Sequence, residues 1–201
     1  MTKICRDGVK SGTLSTDNWY TTDVGYGFTA ADPNGANGAH DSGLALADQA
    51  FTRTTSGQGA AIHVSSGTVA DLAGNVADAI DSPDFMIDNT APTLISTFPG
   101  ANGTMGKADL VTATFSEQMN ASTVNTTTFY LKKYTIDRRG KESYVPVTAK
   151  VTTPPDSSVA VLKPTKDLTI GSYQATITKG VTDKAGNALV SPKTWSFKVT
   201  R

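Results

Sequence analysis

The stretch VADLAGNVAD, Val69–Asp78, is answered 112 residues later by VTDKAGNALV, Val181–Val190. Both contain the word Asp-x-Ala-Gly-Asn, and each stands ahead of a Ser-Pro pair, Ser82-Pro83 and Ser191-Pro192. Aspartate can accept hydrogen bonds from backbone two residues on, glycine takes a positive φ freely, and asparagine tolerates one. The word therefore reads as a turn that reverses the chain ahead of a last strand. Its recurrence at the length of an ordinary domain divides the 201 residues into two similar units, 1–90 and 91–201.

Around these words the apolar stretches are short and alternate with period two, between clusters of Gly, Thr, Ser, Asn and Asp. In LVTATFS (110–116) and TWSFKVT (194–200) every second side chain is apolar or bulky, as a strand with one buried face requires. The pattern predicts strands at Leu94–Phe98, Leu110–Ser116, Phe129–Tyr134, Tyr144–Thr152, Ser158–Lys163, Ser172–Lys179 and Thr194–Thr200. Seven strands separated by turns suit an immunoglobulin-like sandwich. NASTVNTTTF (120–129) suggests a short helical turn capped by Asn120. In the first half, Val24, Tyr26 and Phe28 alternate with small residues, and Ala61–Val69 is expected as another strand. Between the halves Pro92 fixes its own φ and makes Ala91 extended, which predicts a short, stiff connection near Thr90.

Formal net charge is zero, yet residues 1–90 hold four Lys/Arg against eleven Asp, a balance of −7. Residues 91–201 hold fourteen Lys/Arg against seven acids, a balance of +7. No apolar run reaches the roughly 20 residues of a membrane helix, and MTKICRDGVKSG lacks the apolar stretch of a signal peptide. The chain is expected to be cytosolic or an excised piece of a longer exported protein with an added Met. The single cysteine, Cys5, excludes an internal disulfide and a cysteine zinc site, and reads as a leftover thiol near a terminus.

The second half resembles the bacterial Ig-like domain of surface-layer proteins, through APTLISTFPG, VTATFSEQMNASTVNTTTFYL, LTIGSYQATITKGVTDKAGNAL and TWSFKV, in that family's order. The first half is similar to another bacterial Ig-like repeat through NWYTTDV, FTAAD, DSGL, GQG, VADLAGNVA and IDNTAPT, interrupted by the insertion Pro33–His40. The resemblance implies two tandem immunoglobulin-like β-sandwiches in an extracellular or cell-surface bacterial protein. It implies stalk, spacer or adhesive roles, with neighbouring domains of the same parent chain as partners, and no catalytic residues.

Two histidines, two glutamates and no recognisable nucleophile motif argue against an enzyme. No cofactor is required, but calcium has candidate ligands, since Thr54–Gly106 has no Lys or Arg and carries Asp71, Asp78, Asp81, Asp84 and Asp88. Asp71, Asn75, Asp88 and Asn89 are the candidate set, expected to converge near the junction, with Asp32, Asn34, Asn37 and Asp41 as a second oxygen-rich cluster. The competing reading is a solvated acidic surface with turn-forming side chains. For a glycan, Trp19 and Tyr20 are the candidate platform, although in a strand they point to opposite faces and a packing role competes. Trp195, alternating with Phe197 and Val199, belongs to the core. The lysines of the second half are dispersed and match no nucleic-acid motif. The sequence thus predicts a non-catalytic spacer or adhesive module with a glycan or surface protein as external partner. The alternative is a carbohydrate-binding module attached to an extracellular glycan-active enzyme.

Overall fold

A computed structural model of the chain describes residues 2–15, 17–32, 42–45 and 49–201. The fold is all-β, two immunoglobulin-like sandwiches in tandem, with compact units at Met1–Asn89 and Thr90–Arg201. The first unit contributes β1 (Lys3–Ser11), β2 (Trp19–Tyr20), β3 (Gly25–Ala31), β4 (Ala50–Thr54), β5 (Gly59–Ile62), β6 (Val69–Ala70), β7 (Val76–Ala77) and β8 (Phe85–Ile87). One sheet runs β1-β3-β4, antiparallel throughout; the other runs β2-β8-β5, with β2 parallel to β8. Tyr26, Phe28 and Phe85 fill the space between them, with Tyr26 edge-on to Phe28 at 5.3 Å between ring centroids.

Two sequence expectations change here. The N-terminal stretch around Cys5, where the pattern predicted no strand, is a nine-residue strand. Its period is hidden because only Ile4 is fully buried and two bulges, at Arg6/Gly8 and Val9/Ser11, break the alternation. Ala61–Val69 is not one strand: β5 ends at Ile62, Ser65 makes a single bridge to Asp81, and Val69 opens β6. The insertion Pro33–His40, with Asn34, Asn37 and Asp41, lies outside the described residues.

The second unit contributes β9 (Leu94–Phe98), β10 (Thr104–Met105), β11 (Val111–Phe115), β12 (Phe129–Ile136), β13 (Glu142–Val147), β14 (Ala149–Thr152), β15 (Val159–Pro164), β16 (Gly171–Ile177) and β17 (Lys193–Val199). Its sheets run β14-β15-β11-β9 and β10-β17-β16-β12-β13. These are the D-E-B-A and A′-G-F-C-C′ orders of an immunoglobulin sandwich. Each strand turns alternate residues inward, and Phe115, Phe129, Leu131, Trp195 and Phe197 meet between the layers. Tyr173 in β16 donates its hydroxyl to the Thr169 carbonyl at 2.9 Å, the tyrosine corner of this fold. The expected strand Tyr144–Thr152 breaks at Thr148, where the chain leaves one sheet for the other. At 120–128 two successive turns replace the expected helical turn. Asn120 and Asn125 each accept from the backbone N–H and hydroxyl two residues ahead, a local arrangement that competes with helix.

The two units share more than a sandwich. In each, the first strand lies beside the second long strand, while a two-residue continuation crosses over to run parallel with the last strand. The 112-residue shift carries Gly59, opposite Ile87, onto Gly171, opposite Val199, and carries Trp19 and Tyr20's partners, Met86 and Ile87, onto those of Thr104 and Met105. From Gly59 to Ile87 the register repeats as Gly171–Val199 without insertion, so buried Val69, Ala77 and Phe85 return as buried Val181, Leu189 and Phe197. The turn word sits inside this repeated segment.

Candidate functional site

The Asp-x-Ala-Gly-Asn word is where polar side chains are most concentrated in a buried setting. In the first unit the word joins β6 to β7, with backbone bonds from Asp71 N–H to the Asn75 carbonyl at 2.9 Å and from Gly74 N–H to the Asp71 carbonyl at 3.0 Å. One carboxylate oxygen of Asp71, Oδ1, accepts the backbone N–H groups of Ala73 and Asn75 at 2.9 and 2.8 Å. Its other oxygen accepts Asn75 Nδ2 at 2.8 Å and the Thr2 hydroxyl at 3.3 Å. The second unit repeats the pattern: Asp183 Oδ1 takes Gly186 and Asn187 N–H at 2.7 and 2.9 Å, and Oδ2 takes Asn187 Nδ2 at 3.0 Å. Gly74 and Gly186 hold φ of 90° and 100°, the left-handed side where a Cβ is strained. The Asn75 amide is the main cause holding the Asp71 carboxyl below its ordinary range; burial opposes the shift, and the backbone N–H groups and Thr2 add to it.

A third copy of this turn carries no recognisable word. Between β12 and β13, Asp137 Oδ1 accepts Arg139 and Lys141 N–H at 2.8 and 2.9 Å, and Gly140 has φ of 79°. Lys141 stands where the other two turns have asparagine, so no side-chain amide reaches the second oxygen in that way. Asp137 is exposed, whereas Asp71 and Asp183 are buried. The asparagine thus accompanies burial: it satisfies a carboxylate oxygen that water cannot reach.

The structure brings Asp71 and Asn75 together and separates them from Asp88 and Asn89. Asp71 bonds Thr2, at the end of the first unit where β1 begins. By register Ser11, Gly25, Thr54 and then Gly59 lie at the opposite end, and Gly59 pairs Ile87, so Asp88 and Asn89 leave from there. Asp88 N–H donates to the Tyr20 carbonyl at 2.9 Å and Asn89 N–H to Gln58 Oε1 at 3.3 Å. Of the second oxygen-rich cluster only Asp32 is described, accepting Gly43 N–H and the Ser42 hydroxyl at 3.1 and 3.2 Å. Trp19 and Tyr20 are both half-buried, and Tyr20 meets Phe85 edge-on at 5.6 Å against the first core. His63 pairs with Asp84 at 3.0 Å in an exposed position.

Sequence reasoning missed one feature altogether, a cavity of about 400 Å³ in the second unit beside Lys133, Val145 and Leu168. Its signal was available: Lys133 and Thr135 continue the inward row begun by Phe129 and Leu131, where polar residues break the pattern.

An immunoglobulin-like sandwich stapled by these turns agrees with what the sequence matches. Residues 88–199 match the family model described as "Bacterial Ig-like domain", and the chain belongs to that family. Among curated proteins none matches the sequence. Similar solved structures include PcoC, a methionine-rich copper resistance protein from Escherichia coli, 21% identical over 55% of this chain and 100% of that one, with a TM-score of 0.42. The N-terminal part of the bacterial S-layer protein SbsC is 16% identical over 55% of this chain and 24% of its own, with a TM-score of 0.39. A tetra-tandem repeat from the extending region of a large adhesion protein is 14% identical over 99% of this chain and 49% of its own, with a TM-score of 0.32.

Proposed function

We propose that the chain is a non-catalytic spacer within a bacterial secreted or cell-surface protein, built to keep its folded length under tension. The observation that carries this reading is the parallel pairing of an early strand with the last strand in both units, β2 with β8 and β10 with β17. When the two ends of such a unit are pulled apart, parallel neighbours slide past each other. Their hydrogen bonds are then strained together, whereas antiparallel neighbours pulled from one end open bond by bond. Membership of the bacterial Ig-like family supports the same reading.

In the first turn word the Asp71 carboxylate is engaged by the fold. The four donors to Asp71, from Thr2, Ala73 and the backbone and side chain of Asn75, match the roughly four acceptor positions of a carboxylate. A calcium ion at Asp71 would compete with these donors. Tyr20, half-buried, packs edge-on against Phe85 in the first core.

Single-molecule pulling on the full chain between terminal handles tests the proposal. Two separate force peaks are expected, releasing about 300 Å and about 380 Å of chain before the folded spans are subtracted, at about 3.4 Å per residue. Extension of either unit without a force peak would contradict a tension-resisting role.

A further inference from the structure

The cavity beside β12 is an open groove in the second unit, where the inward row of β12 reaches solvent. Phe129 and Leu131 begin the inward row of β12 and are fully buried; Lys133 and Thr135 continue it. On the neighbouring strands the same row passes through Val145 and Tyr173. The facing sheet does not close over this end, because the chain changes sheets at Thr148 and residues 165–169 form the far wall. What results is a groove of about 400 Å³ lined by buried Leu168, half-buried Val147 and exposed Val145, with a volume in the range of small-molecule sites.

The walls are asymmetric in hydrogen-bonding capacity. Lys133 Nζ gives one hydrogen bond, to Thr169 Oγ1 at 2.6 Å in an exposed position, and makes no salt bridge among the described residues. Lys166 lines the same cavity and makes no salt bridge among them either. An ammonium carries three donors, so the pair has several left for an acceptor-rich, negatively charged ligand. The threonine and tyrosine hydroxyls point their protons into the protein: Thr165 donates to the Thr148 carbonyl at 3.1 Å, and Tyr173 to the Thr169 carbonyl at 2.9 Å. They present lone pairs to the cavity, as does Asp167, and so suit a ligand that brings its own O–H donors.

A ligand with a carboxylate, several hydroxyls and an apolar ring face satisfies all three walls. We infer that this cavity binds a uronic acid, with its carboxylate on Lys133 and Lys166, its hydroxyls on Thr148, Thr165 and Asp167, and one ring face over Val147 and Leu168. The +7 balance of residues 91–201 draws an anion toward the site. The sugar acid can come from two sources, a free monosaccharide or a residue of an acidic polysaccharide.

Amide chemical-shift titration of the full chain tests this with three probes: galacturonate, an oligogalacturonide, and galactose, which has the same ring without the carboxylate. Galacturonate is expected to shift the amides of Lys133, Thr148 and Lys166–Thr169 with a dissociation constant on the order of 1 mM, and galactose at least about tenfold more weakly. Tighter binding of the oligomer than of the monomer assigns the site to a polysaccharide; equal binding per sugar assigns it to the free acid. Lys133→Gln and Lys166→Gln should each weaken galacturonate about tenfold or more while leaving the rest of the spectrum in place. Equal binding of galactose and galacturonate overturns the inference. So does the absence of cavity shifts in the wild-type protein, which requires no variant to fold.

Discussion

At Asp71 and Asp183 a single carboxylate accepts two backbone N–H groups of its own tight turn, and the side-chain amide of the asparagine four residues on donates to the carboxylate in return. Asp183→Ala should therefore cost the second unit about 1–3 kcal/mol, since part-buried donors lose their buried acceptor, whereas Asp137→Ala in the exposed hairpin should cost about 0.5–1 kcal/mol. Urea unfolding of the two variants measures the difference, and equal costs would show that burial is not what gives the word its weight. Asp71 adds a pH signature. Its carboxyl is held below the ordinary range in the folded unit, so the folded state favours the charged form. That contribution is present above the unfolded pKa and is lost as pH falls from the ordinary aspartate range through the lowered folded value. Thermal melts of the wild type and Asp71→Asn should accordingly differ most near neutral pH and converge in acid. The turn chemistry was legible in the sequence because Asp, Gly and Asn each have a local reason to be there. The third copy at Asp137 was not, because once the asparagine is replaced only backbone geometry identifies the turn.

Elements were legible in proportion to how one-sided their burial is. β11 and β17 alternate buried and open residues strictly and stood out as strands. β1 exposes most of its residues and carries two bulges, so nothing in its side chains marks it, although its backbone completes the sheet with β3. The chain's change of sheet at Thr148 was likewise invisible, since Tyr144–Thr152 keeps strand composition on both sides of the break. Thr148 at that break lines the cavity, whose signal in the sequence was the polar pair Lys133 and Thr135 in the inward row of β12. The tyrosine corner on β16 has its own test: Tyr173→Phe keeps the ring against Phe197, at 6.0 Å, and removes the hydroxyl's bonds to the Thr169 carbonyl and the Thr169 hydroxyl. A loss of about 1 kcal/mol in the second unit is expected from equilibrium unfolding. A loss near zero would mean that the loop 165–169 is held by other contacts.

Across the whole molecule the repeated word marks two sandwiches built on one plan but closed to different degrees. Among the described residues the second core gathers nineteen buried apolar side chains and the first only nine, so the first unit should open at lower temperature. Both families of contact, the core and the stapled turn, lie within a single unit in every case described above, and this is the central claim of the account: each copy of the word stabilises its own unit. Differential scanning calorimetry of the full chain and of the variants Asp71→Ala and Asp183→Ala tests it most directly. Two transitions are expected, with Asp71→Ala lowering only the first and Asp183→Ala only the second. A single transition displaced by either substitution would contradict the account, because the two words would then be stabilising one cooperative structure.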